Sequence, residues 1–183
     1  MKTGRLVILS GPSGVGKDTV IDAWKAKEPD VERVIAYTTR EPRKGEVNGV
    51  DYWFVSRPEF VRMAEAGEFL EYKEVVGNFY ATPVRHADRL LLQGRIAVLK
   101  IDVQGALEVM KKRPSSLTVF LLPPTKEALR ERLEGRGTDT AEVIAKRIAV
   151  AEQELAQAPH YQHQIVNRDV SEVVTQLEEL TKR

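Results

Sequence analysis

The run Ser10-Gly11-Pro12-Ser13-Gly14-Val15-Gly16-Lys17-Asp18-Thr19 places three glycines ahead of a lysine. Glycines let a turn curl so that successive N–H groups point inward at an anion, and a helix that follows adds its positive end. Lys17 then supplies a point charge for terminal phosphates. The pattern follows G-x-x-x-x-G-K-[ST] until its last position, where Asp18 stands in place of the hydroxyl that meets Mg²⁺; Thr19 comes one place late. A carboxylate there can ligate Mg²⁺ directly or through water, or repel phosphate.

A second set of residues suits a second phosphate. Arg40 and Arg43 lie three apart with Pro42 stiffening the loop between them. Guanidinium forks match phosphate oxygens, and the hydroxyls of Tyr52 and Tyr80 can complete the shell. Two phosphate sites imply transfer between two nucleotides. His160 and His163 flank a polar linker without further ligands, and His86 is expected on a polar helix face with no role.

These residues need a frame to hold them. Leu6–Leu9 reads as a buried strand, and Val20, Ile21 and Trp24 recur at helical spacing over a helix from Asp18 to about Lys27. Residues 34–37 read as a second strand, 38–49 as a polar, turn-rich loop, and 52–55 as a strand again. Ser56-Arg57-Pro58-Glu59 is a capping box. A strand over 69–76, a turn at Gly77-Asn78 and a helix over 84–93 follow. Ile96–Leu99 and Leu117–Leu122 are apolar runs suited to central strands. Helices are expected after Thr125, to about Glu134, and from Ala141 to Gln157. Gln164–Val166 reads as the last strand, and Asp169 caps a final helix with Val170, Val173, Val174, Leu177 and Leu180 on one stripe. Strands alternating with helices argue an α/β fold with a parallel sheet covered on both faces, and the strand-rich segment over 38–83 reads as an inserted lobe.

At 183 residues the chain supports one sizeable core. Charged residues make up 30% and the net charge is +1, which gives no case for nucleic-acid or membrane-surface binding. There is no cysteine, which excludes disulfides and thiol chemistry. No apolar run is long enough to span a bilayer. A cytoplasmic location is therefore expected.

The sequence resembles the guanylate kinase family over nearly its whole length. The likeness lies in residues 11–17; in Thr38-Thr39-Arg40-x-Pro42-Arg43-x-Gly45-Glu46-Val47-x-Gly49-x-Asp51-Tyr52-x-Phe54; in Phe69-Leu70-Glu71; in Gly77-Asn78-Phe79-Tyr80-x-Thr82; in Ile101-Asp102-x-Gln104-Gly105; in Arg132-Leu133-x-x-Arg136-Gly137; and in Ile165-Val166-Asn167. It implies a three-layer phosphate-loop kinase fold with a core of 1–37, 84–134 and 158–183, a GMP-binding lobe over 38–83 and a helical lid over 135–157. It implies ATP-dependent phosphorylation of GMP to GDP in purine metabolism, with Mg²⁺ as cofactor. Arg40, Arg43, Tyr52 and Tyr80 would hold the GMP phosphate, and Glu71, Thr82 and Asp102 would read guanine. Arg136 and Arg147 resemble lid arginines that close over ATP, and Asn167 sits on the adenine side. Lys17, Arg40, Arg136 and Arg147 would carry the catalytic charge, with Asp18 as the metal ligand. Four positions depart from the family pattern: Asp18 for a serine, Ala36 for a serine near guanine, Ala81 for a glycine and Lys100 for the first acid of Asp-Ile-Asp. The Gly-Lys-Asp ending also resembles ribose bisphosphate kinases, and a third alternative is a non-catalytic guanylate-kinase-like binding module.

Overall fold

A computed structural model describes residues 3–75, 77–134 and 141–182. Its centre is a five-stranded, all-parallel sheet in the order β2-β7-β1-β8-β9. The strands are β1 (Arg5–Ser10), β2 (Val31–Arg33), β7 (Ile96–Lys100), β8 (Leu117–Leu122) and β9 (His163–Val166). Strand alternation sorts the side chains to two faces. Val7 and Leu9 of β1 join Ile96, Val98, Val119 and Leu121 in a cluster under α1 (Lys17–Lys27) and α7 (Val170–Thr181). Leu6 and Ile8 join Ala97, Leu99 and Phe120 in a second cluster under α3 (Val84–Leu92) and α4 (Val103–Lys112). The near-continuous apolar runs of β1, β7 and β8 follow from burial on both faces.

The lobe is a separate four-stranded sheet, β4-β3-β6-β5. It comprises β3 (Tyr37–Thr38), β4 (Trp53–Phe54), β5 (Phe69–Val75) and β6 (Asn78–Pro83), packed on α2 (Arg57–Glu65). The Ser56 hydroxyl accepts from the Glu59 N–H, as the capping box predicts. Phe60 is 1% exposed, with its ring 4.9 Å from Phe69 and 5.1 Å from Phe79, centroid to centroid. Beyond β8, α5 (Lys126–Glu134) begins at Thr125, whose hydroxyl accepts from the Ala128 N–H. Leu129 and Leu133 of α5 pack on Ile148, Ala151 and Leu155 of α6 (Ala141–Leu155).

Two expectations are corrected and one helix is added. The run over 34–37 is not one strand: after Val34 donates to the Val98 carbonyl, the chain leaves the core sheet and enters the lobe sheet at Tyr37. The helix α4 went unpredicted; it starts at Asp102, whose carboxylate accepts from the Gly105 N–H. His86 is no surface residue. Its Nδ1 accepts from the Ile35 N–H at 3.3 Å, and burial pushes its pKa down.

Candidate active site

The phosphate loop joins β1 to α1 at the C-terminal edge of the parallel sheet, where ligands of such sheets bind. Gly11 has φ +149°, and a Cβ there would lie 2.6 Å from the Leu121 carbonyl oxygen, so no other residue fits. At the start of α1, Gly16 has φ 99° and gives no side-chain cap, leaving the first helix amides for an anion. The Val15 carbonyl accepts from Asn167 Nδ2 at 2.8 Å and from Arg132 at 3.3 Å. Asn167, expected on the adenine side, is buried here with its amide committed to the loop backbone. Lys17 Nζ donates to the Gly11 and Pro12 carbonyls at 2.6 and 3.0 Å. Burial pushes its pKa down to about 8; Glu154 and Asp18 oppose the shift and Lys100 adds to it.

Asp18 does not stand alone. Its Oδ1 accepts from Lys100 Nζ at 2.5 Å and from Arg33 at 3.4 Å. Burial alone would raise this carboxylate, but Lys100, Arg33 and Lys17 together hold it below its usual value. Two of the four departures from the family pattern thus form one ion pair.

The second pocket opens between the core and the lobe. Tyr52, Glu71, Tyr80, Thr82 and Asp102 line a cavity of about 330 Å³, together with Arg33, Ala36, Lys73 and Lys100. Glu71 of β5 faces Thr82 of β6 in register. Glu71 is 6% exposed, burial raises the pKa of its carboxyl, and Thr82 donates to Oε1 at 2.5 Å. Gly105 makes room for it, since a Cβ there would lie 2.7 Å from Glu71 Oε2. Asp102 pairs with Lys73. The Tyr52 and Tyr80 rings meet edge-on at 5.9 Å.

Arg40 stands at the rim, its guanidinium 5.7 Å from the Tyr52 ring centroid and bonded to Glu46 at 2.8 Å. Arg43 is exposed, and its backbone N–H donates to the same Glu46 carboxylate at 2.7 Å. Glu46 therefore ties the two arginine positions together. Arg147 is half-buried on α6, two turns before Glu154, which lines the phosphate-loop pocket. Neither Arg40, Arg43 nor Arg147 is among the described residues lining either pocket. Arg136 lies outside the described residues. Sequence reasoning assigned no role to Glu46, Arg33, Lys73, Arg132 or Glu154. Glu46 and Arg132 stood inside the quoted motifs. The other three are brought in by the fold.

A phosphate loop on a five-stranded parallel sheet, with a lobe pocket facing it, defines a phosphate-loop kinase. Comparison with known proteins narrows the class. The family model described as guanylate kinase matches residues 3–183. The chain is 46% identical over 178 residues to a guanylate kinase of Enterococcus faecalis, covering 97% of this chain and 87% of that protein. It is 47% identical over 169 residues to one of Streptococcus pneumoniae, covering 92% and 81%. The crystal structure of guanylate kinase from Anaplasma phagocytophilum superposes with a TM-score of 0.78 at 31% identity, over 98% of this chain and 85% of that one. The chain belongs to the guanylate kinase family. The ribose bisphosphate kinase and binding-module alternatives give way to this result.

Proposed function

We propose that the chain transfers the γ-phosphoryl group of ATP to GMP, giving ADP and GDP. The observation that carries this reading is a shared wall. The cavity of about 520 Å³ at the phosphate loop and the cavity of about 330 Å³ at Glu71 are both lined by Lys100, Ile101 and Asp102. Two nucleotides bound there would meet phosphate to phosphate, and an in-line transfer needs little else than positioning and charge.

Lys17 and the amides at the start of α1 hold the donor phosphates. Among the described residues Lys17 bonds to loop carbonyls alone, so its ammonium has short travel to a phosphate. Glu71 accepts from guanine N1–H and N2–H, and Thr82 fixes the carboxylate by donating to Oε1; the expected donation from Thr82 to guanine O6 requires its hydroxyl to turn. Tyr52, Tyr80, Arg40 and Arg43 take the acceptor phosphate, the two arginines turning in from the Glu46-organised loop. Arg136 and Arg147 close from the lid over 135–157 as the lobe over 38–83 swings toward the core, excluding water from the reacting phosphates.

Family membership implies a divalent metal, and Mg²⁺ is our choice. The donor set suits a hard cation that keeps several waters: Asp18 and Thr19 both line the phosphate pocket with oxygen. Asp18 already carries Lys100 and Arg33 on Oδ1, which leaves Oδ2 or a water for the metal. Bound with ATP, Mg²⁺ would neutralise charge on the phosphate oxygens.

Small-molecule nucleotides are the partners in this reading, without nucleic acid or membrane. Among the described residues no helix is long and apolar enough to cross a membrane. Work in the cytoplasm is part of this reading. A coupled assay offering ATP with GMP, AMP or ribose bisphosphate tests the function. Rapid turnover of GMP alone is expected, and a preference for either rival would overturn it.

A further inference from the structure

We propose that Lys100 is a phosphate-binding cation at the seam between the two pockets, held in place by Asp18 acting as a positioning residue. The proposal rests on the phosphotransfer reading for its substrates but on this chain's own residues for its site. Lys100 ends β7, at the ligand-binding edge of the parallel sheet. It lines both cavities, as few residues do. Its side chain is only 19% exposed, whereas that of Asp18 is 64% exposed. The lysine is thus the inner member of the pair and lines both cavities, while the more exposed carboxylate lines the phosphate-loop cavity beside it.

An ammonium carries three protons. Among the described residues its only hydrogen bond goes to Asp18 Oδ1, at 2.5 Å. Two donors are left for phosphate oxygens. Lys17, Lys100 and Arg33 surround Asp18 at this point, while Glu154 of the same cavity acts on Lys17 and Asp22 acts on Lys100. Asp102, across the seam, is occupied by Lys73. Around Asp18 itself three cations, Lys17, Lys100 and Arg33, face one carboxylate.

The pairing also accounts for both departures at once. An aspartate in the first turn of α1 would repel phosphate if left unpaired, and a buried lysine would be costly without a counter-charge. Together they cancel at rest. When a polyphosphate arrives, the lysine serves it while Asp18 keeps the side chain extended toward the seam. The group in transit from donor to acceptor passes this ammonium.

The test uses inorganic tripolyphosphate in EDTA, read by calorimetry on the full chain, so that neither metal nor base recognition enters. Lys100→Met should weaken binding about tenfold, the usual worth of a charge-assisted hydrogen bond. Lys100→Arg, which keeps the charge, should stay within about threefold of the parent. Asp18→Asn should weaken binding in the parent and have no added effect in Lys100→Met, as expected of a residue acting through the lysine. Thermal midpoints identify any variant that fails to fold, and Lys100→Arg then carries the test through its own affinity. Equal binding by the parent and Lys100→Met overturns the proposal, as does no binding to the parent or an undiminished effect of Asp18→Asn in the double variant. Failure of the phosphotransfer reading would show separately, as absent GMP turnover by the parent.

Discussion

At the scale of single residues, Glu71 and Lys17 make the sharpest claims. Glu71 is buried and accepts from one hydroxyl, so a wrong base leaves its carboxylate facing a lone pair. An unpaired buried group costs about 1–3 kcal/mol. Glu71→Gln should therefore lower kcat/KM for GMP by about 10- to 100-fold and change that for AMP little, as steady-state kinetics on both substrates would show. Lys17 has its pKa pushed down to about 8, chiefly by burial. A phosphate raises it again, so binding takes up a proton above pH 8, and ATP affinity should fall as pH rises through that value. Calorimetry in buffers of different ionisation enthalpy measures both. The loop glycines and Lys17 were legible by type and spacing, whereas Glu71 and Thr82 were picked out only through the family resemblance. The partner of Asp18 was not legible. Lys100 is 82 positions away on another element, and no local period records an ion pair between a helix and a strand.

At the scale of elements, capping and strand alternation were readable, and helix α4 was not. Its first turn contains Gly105, a residue that weakens a helix by about 1 kcal/mol relative to alanine and reads as a turn. The glycine is there for a neighbour rather than for the helix, because a Cβ would lie 2.7 Å from Glu71 Oε2. Gly105→Ala separates the two demands. It should leave thermal stability within about 1 kcal/mol. It should weaken GMP binding about tenfold by displacing the carboxylate from its acceptor position. The segment over 34–37 was misread for a related reason. Its β-branched and aromatic residues suit a strand, but β propensity does not say in which of two sheets a residue pairs.

At the scale of the whole molecule, the two sheets have separate apolar cores. Phe60, Met63, Phe69 and Ala81 form the lobe's own cluster, apart from those that flank the parallel sheet. Phe60→Ala should cost the lobe about 3–5 kcal/mol. Amide hydrogen exchange should then speed up across β5 and β6 while β1, β7 and β8 stay protected. The alternation of strand and helix foretold the parallel sheet, and its break over 38–83 the inserted lobe, but not how distant segments meet. Asn167 reaches back across 152 positions to the Val15 carbonyl. Synthesis on the ribosome proceeds from the N-terminus, at about 5–20 residues per second. The phosphate loop emerges before β9, and until β9 is made its backbone lacks the Asn167 brace. A nascent chain that stops short of β9 therefore carries Lys17 and Asp18 without a braced donor site. Ribosome-bound chains stalled before residue 163 should fail to retain a fluorescent ATP analogue that the released protein holds.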